Sequence, residues 1–523
     1  MTVTVTVHGQ ALQAAQTASL LALRAEDVPA RLLAHDASLW GPDAESEATS
    51  RLGWLDVLTV AQDLLAPLEQ LRADLQSEGV DRVVLCGMGG SSLAPEVICA
   101  TAGVPLVVLD STHPDQVRSA LAGDLSRTVV VVSSKSGGTL ETDSQRRALA
   151  EAFTAQGIDP RARMVIVTDP GSPFEQLAKD EGYRGVFLAD PHVGGRYSAL
   201  TAFGLVPSAL AGVDVRALLA QAEVFAQTLG SDDNAGLQLA AALGADHRDK
   251  IVLDGSSSSL VGFGDWAEQL IAESTGKLGK GLLPVVVEAD APEVTAPAED
   301  VHVVRLGLVA PVVGTAVDGT LGEQLFAWEY AVAVAGRLLG IDPFDQPDVE
   351  SAKKAARGLL DSQPEPDRPL FVEGAVEVFA TPGWLDGPRT LAGAVDALLA
   401  TVQARGYLAV MAYLDRLRDA SLSGVRGPLA RRLERPVTFG WGPRFLHSTG
   451  QFHKGGPPIG SFLQITGLVS QDLPIPDRPF TFGTLIAAQA AGDAKVLADH
   501  GRPVLRLHLT SVDGLAQLRG VLT

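Results

Sequence analysis

RVVLCGMGGSSLAPE (82–96) is an apolar, β-branched run that breaks into glycine and serine and resumes in helix-forming residues. TVVVVSSKSGGTLET (128–142) repeats the plan. A run that is apolar nearly throughout reads as a strand buried on both faces. The same unit recurs in PLVVLD (105–110), MVIVTD (164–169) and GVFLAD (185–190), most followed by helix-period sequence. Strands alternating with helices imply a parallel, doubly wound α/β sheet.

Working outward, residues 46–230 form one expected α/β domain. A second, 231–360, contains KIVLDG, LLPVVVE, VHVVRLGL and the long helix LGEQLFAWEYAVAVAGRLLG. Residues 1–45 read as a helical arm, and DSQPEPDRP (361–369) as a linker or surface loop. Residues 361–523 read as a C-terminal α/β region that completes the second sheet or forms a third lobe, the first being preferred.

The length, 523 residues, suggests roughly three domains. A net charge of −21 disfavours nucleic acid and anionic membrane as partners, so any bound phosphate needs a local site. Cys86 and Cys99 have no disulfide or zinc spacing, which fits a reducing, cytoplasmic setting. Neither a signal peptide nor an apolar membrane span is expected.

Six segments can carry chemistry. Gly87–Glu96 is a glycine-rich strand-to-helix turn that lets backbone approach a ligand, though a tight structural turn reads equally well. In Ser133–Thr142, Ser134, Ser136 and Thr139 supply hydroxyls and Lys135 charge, at a helix start whose free amides suit a phosphate; a Ser/Thr cap with a glycine turn is the alternative. In VGGRYS (193–198), Arg196 offers a fixed fork for an oxyanion. In WAEQLIAESTGK (266–277), Gln269 and Glu273 share a helical face, and Glu273 could act as a general base or be merely solvated. In DPFDQPDVESAKK (342–354), Gln346, Glu350 and Lys353 fall on one face if the helix starts near Pro347. In RFLHSTGQFHKGG (444–456), His447 and His453 are six apart and no third ligand is near, so zinc is not expected.

Together GMGGSSLAP, SKSGGTLET, VGGRYS, EQLIAESTGK, FDQPDVESAKK and HSTGQ resemble the phosphoglucose isomerase family from about residue 80 to about residue 456. The resemblance implies two sugar-isomerase (SIS) domains, each a parallel αβα sandwich, usually paired as a homodimer. It implies a small sugar phosphate as substrate and neither metal nor organic cofactor. Ser134, Lys135, Ser136 and Thr139 would hold the phosphate, and Gly90 and Ser91 would contact the sugar. Glu273 would move a proton between C1 and C2, and Arg196 would stabilise the enediolate. His447, with Lys353 nearby, would open the ring, while Gln269 and Gln346 would fix hydroxyls or the phosphate. In the common family order the histidine motif precedes the FDQ motif; here it follows by about one hundred residues, as in the isomerase portion of transaldolase fusions. The implied activity is glucose 6-phosphate/fructose 6-phosphate isomerisation. A mannose 6-phosphate isomerase and a non-catalytic sugar-phosphate-binding regulator stand as alternatives.

Overall fold

A computed structural model describes residues 2–245, 247–362, 368–387 and 389–523; the expected linker at 361–369 lies largely outside them. Strand β1 (Thr4–His8) is followed by helices as far as Ser77. A first sheet then comprises β2 (Arg82–Gly87), β3 (Val107–Leu109), β4 (Thr128–Ser133), β5 (Met164–Thr168) and β6 (Gly185–Leu188). Its order is β3-β2-β4-β5-β6, all parallel, as the apolar runs predict. Every residue of β4 is buried, which is why TVVVVS shows no polar alternation.

The second sheet is built from β7 (Lys250–Asp254), β8 (Leu283–Val287), β9 (Val301–Leu306) and β10 (Gly314–Asp318). β1 joins its edge antiparallel, with Thr4 opposite Asp318 and His8 opposite Gly314. The first 45 residues are therefore not only a helical arm. TVTVTVH has the period of two of a strand, and Val3 and Val7 turn inward.

Residues beyond 370 do not complete the second sheet. They form a third: β11 (Phe371–Glu373), β12 (Val376–Ala380), β13 (Tyr407–Tyr413), β14 (Val437–Trp441), β15 (Gly460–Gly467) and β16 (Val504–Leu509). The order is β11-β12-β16-β15-β13-β14, parallel from β16 through β14 and antiparallel at the β11-β12 edge. The correction has a physical cause. Apolar periodicity marks a strand but not the sheet it joins, and β1 already occupies one edge of the second sheet.

The lobes share cores. Trp54 packs on Tyr197 and Phe326 at ring-centroid distances of 5.7 and 6.1 Å, joining the first and second lobes. Leu283 and Val285 pack in one cluster with Tyr407 and Phe462 of the third lobe. Ile475, Phe482 and Leu485 cover Val84, Val130 and Val132 on the first sheet. The third lobe thus rests on both others, and its loops reach the crevice between them. Among the described residues, no helix is long and apolar enough to cross a membrane.

Candidate active site

The first sheet reverses its winding at β2 and β4: the chain leaves β2 towards β3 on one side and returns to β4 on the other. Loops after such a pair diverge and open a crevice at the carboxyl ends of the strands. Gly87 lies opposite Ser133, so the glycine turn and the hydroxyl-rich loop are neighbours there.

Glycine is required in the first of these loops. Gly89 has φ +57, and a methyl group on it would lie 2.8 Å from Gln269 Nε2 and 3.0 Å from the His447 Cβ. A methyl on Gly90 would lie 1.9 Å from the Gly195 carbonyl oxygen. The turn is thus a hub against which VGGRYS, Gln269 and the histidine loop all abut.

In the second loop Thr139 occupies the N-cap of helix Leu140–Ala155 but makes no side-chain cap. Its hydroxyl instead accepts from Ser134 Oγ at 3.0 Å. Simple capping is therefore not its role, and the first-turn amides keep their capacity for an anion. The Thr168 hydroxyl holds the Ser134 carbonyl at 2.7 Å, and exposed Ser136 accepts from the Gly138 amide at 3.2 Å. Lys135 points elsewhere, donating to Asp169 at 2.5 Å and to the Pro191 carbonyl at 3.2 Å.

Arg196 is 3% exposed and almost wholly committed to protein acceptors. Nε donates to Ser274 Oγ at 2.9 Å, one terminal nitrogen to Gln346 Oε1 at 2.8 Å, and the other to the Pro343 and Asp345 carbonyls at 2.7 and 2.9 Å. Four of the five donors of a guanidinium are thereby fixed. The nitrogen bonded to Gln346 lies 3.6 Å from Glu273 Oε1. Gln269 Nε2 donates to the other Glu273 oxygen at 3.0 Å, one turn earlier on helix Phe263–Thr275. Gln269 Oε1 is buried without a partner among the described residues, an acceptor open to a hydroxyl. Lys277, buried beside this group, donates to Asp345 Oδ1 at 2.6 Å. Burial first and then the Arg196 charge push its ammonium down to about 8 against the pull of Asp345.

Gln346 lies ahead of helix Val349–Ser362 rather than on its face. Its Oε1 accepts from Arg196, as Gln269 Nε2 donates to Glu273, so each amide braces a charged group of the site.

His447 ends the short turn Arg444–His447 after β14. Its Nε2 lies 3.2 Å from Glu141 Oε1, and that oxygen also accepts from Gln489 Nε2 at 2.8 Å. Thr112 in turn donates to Gln489 Oε1 at 2.6 Å. Burial raises the Glu141 carboxyl, but the His447 hydrogen bond and charge, with a smaller pull from Lys353, more than offset it and leave it below its ordinary value. Glu141 and Gln489 were not singled out from sequence. The available signal was Glu141's place two residues after Thr139, in the first turn of the loop's own helix.

Contacts thus link the glycine turn to Gln269, the His447 loop and VGGRYS, and link Arg196 to Glu273 and Gln346, while the Ser134–Thr139 loop adjoins through Gly87–Ser133 and Glu141–His447. A family model described as Phosphoglucose isomerase matches residues 62–243. The glucose-6-phosphate isomerase of Synechococcus sp. strain JA-3-3Ab is 40% identical over 210 residues, which is 36% of this chain and 39% of that protein. A probable glucose-6-phosphate isomerase from Haloarcula marismortui is 30% identical over 360 residues, 57% of this chain and 80% of that one. Among solved structures, a Chlamydia trachomatis glucose-6-phosphate isomerase superposes with TM-score 0.53 at 18% identity, covering 70% of this chain and 90% of its own. A hypothetical protein from Thermus thermophilus superposes with TM-score 0.58 at 24% identity, covering 68% of this chain and all of its own. The fold agrees with these structures and the sequence with those relatives: the chain belongs to the phosphoglucose isomerase family.

Proposed function

We propose that this chain interconverts glucose 6-phosphate and fructose 6-phosphate through an enediolate, with Glu273 as the base. The carrying observation is the Glu273 carboxylate held by Gln269 and set 3.6 Å from an Arg196 fork that the protein has locked in place. Aldose–ketose exchange needs one base that can return its proton to the neighbouring carbon. Glu273 takes the proton from C2 of the open aldehyde. The C2–H electron pair becomes the C1=C2 bond, and the carbonyl pair moves onto O1. A proton passes from O2 to O1, and Glu273 returns its own to C1.

Arg196 meets the developing negative charge without reorganising, because its geometry is already set by Ser274, Gln346 and two carbonyls. His447, oriented by Glu141, is the proton carrier for ring opening, with Lys353 alongside. The Ser134–Thr139 loop anchors the phosphate and orients the reacting carbons. The reading includes a cytoplasmic setting and a homodimeric assembly.

The test is turnover of fructose 6-phosphate in a coupled assay with a chelator present. The wild-type protein is expected to be active, and Glu273→Gln to lose about 10²–10⁴-fold in kcat while still binding the sugar phosphate. Near-normal turnover by the variant would remove Glu273 from the base role.

A further inference from the structure

The helix that begins at Thr139 has a second charged face. Glu141 faces His447, whereas Asp143 lies about 200° round the helix from it. Arg146 and Arg147 follow Asp143 at spacings of three and four and share its side. Here the outer wall of the loop opens into a cleft of about 450 Å³. It is lined by the 137–139 turn and by Asp143 with four arginines, Arg146, Arg147, Arg357 and Arg478.

The charges are unbalanced. Asp143 alone among the lining residues is acidic, and it is shared by Arg146 at 2.7 Å, Arg147 at 2.8 Å and Arg478 at 2.8 Å. Burial raises its carboxyl, but Arg147 and Arg146 hold it at about 2, so it stays ionised. Beyond the lining, Arg147 also reaches the exposed Asp477 at 3.0 Å, and Arg146 reaches the Tyr183 hydroxyl at 3.0 Å. Among the described residues, four guanidinium groups thus face two carboxylates. In a chain of net charge −21, such a local excess does not follow from composition. The arginines come from helices Leu140–Ala155 and Val349–Ser362 and from the segment ahead of helix Phe482–Asp499. Three separate segments therefore converge to build the excess.

We propose that this cleft is a second anion site, on the face of the Gly137–Thr139 loop away from His447, and that it takes a small molecule bearing a diphosphate. Paired guanidinium forks match phosphate oxygens two at a time, and several forks around one cleft suit two linked phosphoryl groups better than a single one. Gly137 has φ +65, and a methyl there would meet the Phe174 amide nitrogen at 2.8 Å, so this wall of the cleft is backbone brought close by glycine.

The probe is pyrophosphate, titrated by calorimetry into the full chain saturated with fructose 6-phosphate so that the crevice is occupied. One pyrophosphate per chain is expected. Arg357→Gln should weaken it about tenfold, and Arg147→Gln/Arg478→Gln about a hundredfold. Asp143→Asn, which removes the competing carboxylate, should tighten it several-fold. Arg357 is exposed on its helix, so its variant decides the matter if the double variant fails to fold. Loss of the titration signal when the sugar phosphate is saturating would overturn the site, as would unchanged affinity in Arg357→Gln.

Discussion

Replacing Gly90 by alanine should disable the proposed isomerisation, while the same change at Gly195, its contact partner, should be nearly silent. A methyl on Gly90 lies 1.9 Å from the Gly195 carbonyl oxygen, and ordinary contact begins at 3.4 Å, so the two loops must part by about 1.5 Å. Neither has slack. Gly89, next to Gly90, is already hemmed in by Gln269 and the His447 backbone. Gly195 is followed by Arg196, whose fork is pinned at four points. Whichever loop yields, the Arg196–Glu273 geometry moves with it. A misplacement of 1 Å can cost about 10²-fold in rate, so kcat/KM for fructose 6-phosphate should fall at least ~100-fold in Gly90→Ala. A methyl on Gly195 meets nothing within 4 Å, so Gly195→Ala should keep most of the activity. Coupled kinetics give the rates, circular dichroism reports folding, and inorganic phosphate titration reports the Ser134–Thr139 loop, which should bind as before. Retention of activity within about threefold by Gly90→Ala would refute the reasoning, as would equal damage from both substitutions.

Two further outcomes follow from other parts of the molecule. Ser134→Ala/Thr139→Ala should raise the KM for fructose 6-phosphate by about 10²-fold, since hydrogen bonds to a charged group contribute about 1.5–3 kcal/mol each, and should weaken inorganic phosphate inhibition in parallel; an unchanged KM would place the phosphate elsewhere. Asp300 is held by Lys250 at 2.9 Å and Arg435 at 2.7 Å, tying the second lobe to the third. Burial raises its carboxyl, but Arg435 and Lys250 bring it from 3.8 down to about 2. A carboxyl depressed on folding stabilises above its unfolded value, and that contribution fades as pH falls from about 4 towards 2. Asp300→Asn should therefore lower stability by on the order of 2 kcal/mol at neutral pH, read from urea midpoints, with the deficit shrinking below about pH 4. A deficit unchanged by acid would show that the pair's charge is not the cause.

The first sheet was legible because both of its faces are buried: RVVLCG, TVVVVS and MVIVT have no other economical reading than parallel strands. The loop after TVVVVS was legible as a strand-to-helix turn because hydroxyls and glycines crowd one helix start. What escaped was pairing across long separations. Glu141 meets His447 across 306 positions, and Gln489 reaches Glu141 across 348. Local spacing carries no trace of such contacts. Gln269 and Gln346 were chosen as site residues, but their contacts with Glu273 and Arg196 were not legible, since a side-chain amide can hold a ligand or another side chain equally well.

The histidine motif comes late along the chain, and ion pairs hold its loop on the first lobe. Arg444, three residues before His447, is nearly buried and pairs with Glu96 and Asp110, both on the first lobe. Arg416, also of the third lobe, reaches Glu96 at 3.0 Å and Asp110 at 3.3 Å. The Glu96 carboxyl is held at about 2 by these two arginines against the opposing effect of burial, so Glu96 is ionised. Glu96 belongs to the helix that leaves the glycine turn, and Asp110 ends the run that forms β3. The turn carrying His447 is therefore clamped onto the same switch point that presents Gly89 and Gly90. These contacts join Arg444 to Glu96 and Asp110 across 348 and 334 positions, so a segment late in the chain sits on the first lobe. The Arg444–Asp110 pair is the most buried of these, so removing either partner would leave a charge without its counter-ion and loosen the hold of the third lobe on the first.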